Sequence, residues 1–438
     1  MTTRITRRRA LQTIAAAASA PFVFRAHAAA PSETLYHASF GASGMARADI
    51  QSLTASKNLK LVAVAEVDSV RAEGLKKVFP DVRIYADWRE LLAKEKDLNS
   101  ANISTPDHMH APITMACMNR GLNVYTQKPL TQTIYESRRL TQVAAEKKLI
   151  TQMGTQLHSA EMHRQVTDII QGGAIGKVKE VHSWSGKQWG DRAAKPDKKD
   201  PVPPTLNWDL WLGVAEERPF IGGGYYHPGN WRKRLDFGTG TFGDMGCHIL
   251  DPVYASCAFT APKSVQSFDE APNADNWSLN VRVQYVFPEG KFTTSDAVLN
   301  WYNGSNRPPE AIQKLIGDRK LVDQGSIYVG TDGVLYSPYG QGNILLPAEK
   351  YKEYKMPKPG SNNHYLQFVE ACRGKDKTSA AFDYAGPLTE TVLLGCLSTR
   401  FPNQVIEWDA ANMKVTNVEA ANKFVRRAYR KGWEVEGL

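Results

Sequence analysis

Thr34-Leu35-Tyr36-His37-Ala38-Ser39-Phe40-Gly41-Ala42-Ser43-Gly44-Met45-Ala46-Arg47-Ala48-Asp49-Ile50 is the stretch on which the fold turns. Thr34 to Phe40 reads as a short strand, and the glycine-spaced residues after it as a tight turn feeding a helix. Such a turn aims the N-terminal amides of the helix at one point, the arrangement that receives the pyrophosphate of a dinucleotide. The G-x-G-x-x-G/A positions fall on Gly41, Ser43 and Ala46, with Gly44 and Met45 between the last two. Ser43 departs from the rule, because a Cβ there crowds the pyrophosphate, although its hydroxyl can donate to a phosphate oxygen. A plain strand–helix turn fits these residues nearly as well.

The flanking chain favours the dinucleotide. Leu59 to Val67 is a nearly continuous apolar run, as in a parallel strand covered on both faces. It ends at Glu66 and Asp68, about twenty residues past the turn, where an acid accepts from the adenosine ribose. Glu66 is the better placed, and a carboxylate there favours NAD; Arg71 keeps NADP open. Helices are expected over 70–79 and 88–94, short strands over 83–85 and 100–104. The last runs into Thr105-Pro106-Asp107-His108-Met109-His110 and a helix from Ala111 to Asn119. A strand over 122–125 then stops at Thr126-Gln127-Lys128-Pro129, which puts Lys128 at the carboxyl edge of the sheet, where open α/β sheets bind ligands.

Far along the chain, Gly243-Asp244-Met245-Gly246-Cys247-His248-Ile249-Leu250-Asp251 is compatible with a helix. Asp244 and His248 then share one face, four residues apart. An imidazole oriented by a carboxylate titrates near neutral pH and can take the proton of a hydroxyl undergoing oxidation.

Taken together, the glycine turn at Gly41, the Gln127-Lys128-Pro129 step and Asp244-x-x-x-His248 make the chain resemble the Gfo/Idh/MocA (glucose-fructose oxidoreductase / inositol dehydrogenase) family over essentially its whole length past the amino terminus. That family usually has Glu-Lys-Pro at the lysine step, so Gln127 puts in doubt the charge interaction made by the glutamate. The resemblance implies α/β plus α+β architecture: an N-terminal Rossmann domain and a C-terminal α/β domain with a large, mostly antiparallel, open-faced sheet. It further implies NAD(P)-dependent oxidation or reduction of sugars or polyols, with Lys128, Asp244 and His248 as the catalytic group. The cofactor contacts expected are Gly41, Ser43, Gly44, Met45, Ala46, Glu66, Thr105, Pro106, His110, Gln127 and Lys128; the cofactor is NAD, with NADP as the alternative.

The boundaries expected are 32–152 for the Rossmann domain and 153–438 for the second, whose late helices over 365–372 and 387–400, joined by the segment 382–386, pack back on the first. Long alternating runs such as VKEVHSWSGKQW, SLNVRVQYVFP and KFTTSDAVLNW read as antiparallel strands with one covered face. An outer apolar face of such a sheet would want a partner, so a homo-oligomer is expected. The long insertion 190–243 between the first and later strands mixes aromatic with polar residues, as a carbohydrate pocket requires. His227, Trp231 and Arg232, with Gln156 nearer the first domain, are the substrate candidates, whereas Trp208 and Trp211 are expected simply to pack the loop. The closing segment 418–430 reads as a basic, solvated helix.

Composition narrows the class. The chain has 438 residues, 42% of them hydrophobic and 23% charged, with a formal charge of +9. More than half of that surplus comes from Arg4, Arg7, Arg8, Arg9 and Arg25, and the body offers no basic block for nucleic acid. Cys117, Cys247, Cys257, Cys372 and Cys396 are scattered without a CxxC, which argues against a disulfide framework or a metal site. Residues 1–28 read as a twin-arginine signal peptide: paired arginines, an apolar run too short for a permanent span, and Ala26-His27-Ala28. The expectation is therefore a soluble periplasmic oxidoreductase, delivered folded by the twin-arginine export machinery and holding a recycled cofactor. An NAD-dependent glycoside hydrolase or lyase working by transient oxidation is the alternative, and a non-catalytic carbohydrate-binding protein the third.

Overall fold

Alternating apolar runs and amphipathic segments build a Rossmann sheet in the computed structural model, which describes residues 34–438; the expected signal peptide lies outside the described residues. The six strands are β1 (Leu35–Phe40), β2 (Leu59–Ala65), β3 (Arg83–Tyr85), β4 (Ser100–Ile103), β5 (Asn123–Thr126) and β6 (Thr151–Met153). They are parallel in the order β3-β2-β1-β4-β5-β6. Helices α1 (Met45–Thr54), α2 (Ser69–Lys76), α3 (Trp88–Lys94), α4 (His110–Asn119) and α5 (Ile134–Lys147) connect them. The order reverses direction between β1 and β4, so the ends of these two strands open a crevice, and Lys128 follows β5 beside it.

After α6 (Glu161–Gln171) the chain enters the second sheet through β7 (Val178–Ser185) and leaves it for the insertion, which carries the short α7 (Trp208–Leu212). Two helices return it, α8 (Gly240–Ile249) and α9 (Asp251–Cys257), before β8 (Ser264–Ser267), β9 (Val281–Val286) and β10 (Thr293–Asn303). The short α10 (Glu310–Gln313) precedes β11 (Gln324–Gly330), β12 (Val334–Pro338) and β13 (Ile344–Leu346). Helices α11 (His364–Cys372) and α12 (Phe382–Ser398) and strands β14 (Val405–Asp409) and β15 (Lys414–Val415) complete the chain. The nine strands run β13-β12-β11-β7-β10-β9-β8-β14-β15, with β7 and β10 the parallel pair in an otherwise antiparallel sheet.

Alternation along these strands sorts side chains to two faces. Leu299, Trp301, Tyr328 and Leu335 join the main core, where Phe242 of α8 stacks on Trp301 at 4.7 Å. Their neighbours Tyr302, Ile327 and Tyr336 share a separate core with Trp184 and Leu346. That second core is closed by the chain's own 312–322 segment: Ile316 is buried in it, Ile312, Leu321 and Val322 pack on it, and Trp184 Nε1 donates to Val322 O at 2.8 Å. This part of the outer face therefore needs no partner subunit to bury it.

Two expectations change. The segment 382–386 is the first turn of α12, not a connector. Pro387 is tolerated inside that helix, with side chains of α5 serving nearby carbonyls: Thr141 Oγ1 donates to Phe382 O at 3.1 Å and Ser137 Oγ to Gly386 O at 3.0 Å. The segment 418–430 is not a solvated helix but a strap with one 3-10 stretch, Glu419–Phe424. Ala421 and Val425 are buried, and Tyr429 donates to Glu136 at 2.6 Å. Arg427 donates to Asp236 O at 3.0 Å, and Arg430 pairs with Asp209 at 2.6 Å and donates to Gly213 O at 3.1 Å, these three partners lying in the insertion. The insertion has its own core, in which Trp208 stacks on Trp211 at 4.8 Å. It also extends the Rossmann sheet edge: Leu206 bridges Asp68 antiparallel, Ser69 N donates to Thr205 O and Asn207 N to Val67 O, both at 2.9 Å.

Candidate active site

A cavity of about 530 Å³ begins at the glycine turn and runs along the carboxyl edge of the parallel sheet to α8, walled on the far side by the insertion. At its head, Gly41 has φ +106°, and a Cβ there would stand 2.8 Å from Ser104 O, so only glycine fits. Gly44 caps α1 at φ +59° with nothing within 4 Å of the place of a Cβ. Helix α1 has neither a side-chain cap nor an acid in its first turn, which leaves its amides to an outside anion. The hydroxyl of Thr105, buried on the same wall, has no partner among the described residues. A dinucleotide satisfies all three features, and Gly41, Ser43, Gly44, Met45, Glu66, Thr105, Pro106, His110, Gln127 and Lys128 all line the cavity, whereas Ala46, also expected as a cofactor contact, is buried and does not.

Around the turn the side chains hold one another. Glu66 accepts from Ala42 N at 3.0 Å and Asp68 N at 3.1 Å, and burial pushes its carboxyl up. Arg71 donates to Ser43 Oγ and, at 3.2 Å, to Asp68. His227 was expected among the substrate contacts; the structure sets it here instead, with Nε2 3.3 Å from Asp68, because the Thr205–Asn207 bridge fastens the insertion to this end. His110 lines the cavity and braces it: its ring nitrogens face Pro129 O at 2.7 Å and Thr105 O at 2.9 Å, and burial pushes it down to about 4.

The departure at Gln127 has a structural reason. Its amide donates at 2.9 Å to both oxygens of Asp49, a fully buried carboxyl that also accepts from Ser104 at 2.7 Å and Tyr365 at 2.9 Å. Burial pushes Asp49 up to about 6. A glutamate at 127 would set like charges together, whereas glutamine supplies the donor that Asp49 needs. Gln156 ties the same group to the cavity wall by donating to Tyr125 and Tyr365, both at 3.2 Å.

Lys128, Asp244 and His248 meet at the far end. Lys128 Nζ lies 2.5 Å from Asp244 Oδ1 and 3.1 Å from Asp244 O. Arg232 Nε stands 3.5 Å from the same Oδ1, and Lys187 Nζ 3.5 Å from Oδ2. Burial alone would raise the Asp244 carboxyl; the charges of Lys128, Arg232 and Lys187 reverse this and hold it well below the usual carboxylate range. The expected orientation of His248 by Asp244 does not occur, because the carboxylate turns to the three cations, which bind it more strongly than a neutral imidazole. His248 Nδ1 has no hydrogen-bond partner among the described residues, and burial, reinforced by the Lys128 charge, pushes the ring down to about 3 instead of near neutrality.

Arg232 and Trp231 take the expected place on this wall, the guanidinium lying 4.2 Å from the Trp231 ring and 5.6 Å from that of Trp189. Lys187 and Trp189 were missed, since they directly follow β7 and were absorbed into its alternating pattern. Asp107 was also missed: it is buried, accepts from Thr239 at 2.8 Å, and is pushed up to about 6 by burial against the pull of Arg232 and Lys128. A glycine-flanked Lys-x-Trp at a strand end was the available signal.

Known proteins resemble the chain in sequence or in fold. A levoglucosan dehydrogenase of Pseudarthrobacter phenanthrenivorans is 23% identical over 42% of this chain and 39% of its own. A scyllo-inositol 2-dehydrogenase (NADP(+)) of Bacillus subtilis is 22% identical over 46% of each. The chain thus spans less than half the length of either relative. Among solved structures, the WlbA dehydrogenase from Bordetella pertussis, in complex with NADH and UDP-GlcNAcA, aligns with TM-score 0.62 at 12% identity over 86% of this chain and 99% of that one. An NAD-binding protein from Listeria innocua aligns with TM-score 0.57 at 16% identity over 85% and 97%. Residues 37–155 match the model of an oxidoreductase family with an NAD-binding Rossmann fold, and residues 161–435 match the C-terminal alpha/beta domain of an oxidoreductase family. With nearly all of its described length covered by these two models, the chain belongs to the Gfo/Idh/MocA family of oxidoreductases.

Proposed function

We propose that the protein is an NAD(P)-dependent oxidoreductase acting on a CH–OH group of a sugar, sugar derivative or polyol. The observation that carries this is the meeting of Lys128, from the end of a Rossmann strand, with Asp244 at 2.5 Å, beside His248 and within the cavity headed by the Gly41 turn. When bound, the dinucleotide supplies the hydride acceptor or donor.

The chain's own residues divide the remaining work. Lys128 donates to the reacting oxygen and steadies the negative charge that grows there. Asp244 holds Lys128 in place. His248, neutral at physiological pH, lines the cavity and accepts the hydroxyl proton. Glu66, Arg71 and the α1 amides hold the adenosine and pyrophosphate end. Export to the periplasm in folded form, with the cofactor retained and recycled, rests on Arg7-Arg8 and the apolar run that follows.

The test is to denature the purified full-length chain and identify the released nucleotide, then to add sugars and polyols to the intact protein and follow nicotinamide absorbance. Released NAD or NADP together with a substrate-dependent change is the expected result. Tight binding of neither dinucleotide sinks the proposal.

A further inference from the structure

We infer that the carbohydrate bound at this site is anionic, a sugar acid whose carboxylate is received by Arg232 and Lys187. The inference rests on the oxidoreductase reading of the same cavity and narrows its substrate class.

The charges at the far end do not balance. Lys128, Lys187 and Arg232 converge on Asp244, whose Oδ1 is already taken by Lys128 at 2.5 Å. The nearest further acid on this wall, Asp107, is fully buried and committed to Thr239. Even with Asp107 ionised, one positive charge remains over, since His110 and His248 are neutral. Holding like charges together in a partly dry cavity is costly unless an anion arrives. The cofactor pyrophosphate does not need these cations, because the α1 amides meet it at the other end.

Hydrogen-bonding capacity points the same way. The Arg232 guanidinium makes no hydrogen bond within the described residues beyond its 3.5 Å approach to Asp244, and Lys187 Nζ has only its own 3.5 Å approach. Their side chains are 29% and 44% exposed, so their donors face the cavity and are not sealed in the core. Trp231 and Trp189 flank the guanidinium and hold its plane, which suits the two-pronged geometry of a carboxylate. A carboxylate there would also offset the positive charge that helps depress His248, strengthening the base when substrate is present.

Calorimetric titration of the cofactor-loaded full-length protein with D-glucuronate and D-galacturonate, against D-glucose, D-galactose and D-glucose 6-phosphate, tests this. The uronates should bind at least about tenfold tighter than the parent hexoses, a preference that shrinks between about 20 and about 300 mM salt. Arg232→Gln and Lys187→Gln should each erase most of it, and Arg232→Lys, which keeps the charge and should keep the fold, should lose part. Hexoses binding as well as uronates, no uronate binding at all, tighter binding of the phosphate, or a preference unchanged in Arg232→Gln each overturns the inference. Nicotinamide absorbance separates the two claims: tight uronate binding with no redox change sinks only the oxidoreductase reading, while reduction by neutral hexoses as readily as by uronates sinks only this one.

Discussion

The two ends of the cavity are built on opposite terms. At the nucleotide end, Glu66, Asp68, Arg71, Ser43 and His227 bond to one another or to the backbone, so these side chains are fixed before any ligand arrives, with the α1 amides and the Thr105 hydroxyl left to meet it. At the substrate end, His248, Lys187 and Arg232 keep most of their bonding capacity for something not part of the chain. A pre-bonded site loses little entropy on binding and gives retention. A site of unspent donors and one unbonded imidazole costs stability and is kept for chemistry. On the proposed function, holding falls to one end and turnover to the other.

The largest blow to this division is Lys128→Met. Asp244 still has Arg232 and Lys187 within 3.5 Å, so its buried charge is not stranded and the fold should survive. Losing the donor to the reacting oxygen should lower turnover by about 10³-fold, on the scale of removing one oxyanion donor. Stopped-flow reduction of the bound nicotinamide, together with a cofactor titration, checks both halves. A variant that loses cofactor as badly as turnover would erase the distinction between the ends.

A subtler change sharpens it from the nucleotide side. Ser69 is the first residue of α2, and its N–H serves Thr205 O in the insertion, not the helix. Proline is well suited to that helical position, and Asp68 before it is already extended, at φ −108° and ψ 107°. Ser69→Pro therefore removes one bond between the insertion and the Rossmann domain and little else, a loss of about 1 kcal/mol. Release of the dinucleotide, followed by gel filtration and absorbance, should quicken by about fivefold while Lys128-dependent chemistry is unchanged. Equal release rates would mean that the insertion walls the cleft without closing it.

What the chain reveals before folding follows the same divide. The Rossmann half was legible because its signals are local: apolar runs, the Gly41 turn, and an acid at the end of β2. Lys128, Asp244 and His248 were singled out by the order of their motifs, but their mutual geometry was not, since which cation Asp244 faces depends on Lys187, just past β7, and Arg232, from within the long insertion. His227 was placed at the wrong end for the same reason, because a two-residue backbone bridge at Asp68 has no side-chain signature. The segment 418–430 misled through composition: its arginines look solvated, but Arg427 and Arg430 donate to carbonyls and to the Asp209 carboxylate of another segment. The roof over Trp184 and Tyr302 comes from apolar residues too widely spaced over 312–322 to announce an element.

The smallest expected effect concerns the cost of keeping an acid at the working end. Asp107 lies at about 6 instead of 3.8 because burial outweighs the pull of Arg232 and Lys128. A carboxyl raised on folding favours the folded state fully below its unfolded value, and that contribution is lost as pH climbs through the folded value. The wild-type protein should thus give up about 1 kcal/mol between pH ~5 and ~7.5 through this group alone. Asp107→Asn keeps an oxygen to accept from Thr239 and removes the titration, so its melting temperature relative to wild type should rise by about two degrees across that window. Thermal unfolding at the two pH values reads the difference. A constant offset would show that Asp107 is ionised at little cost, its charge already neutralised by Arg232 and Lys128, and would leave the substrate end better balanced than its unspent cations imply.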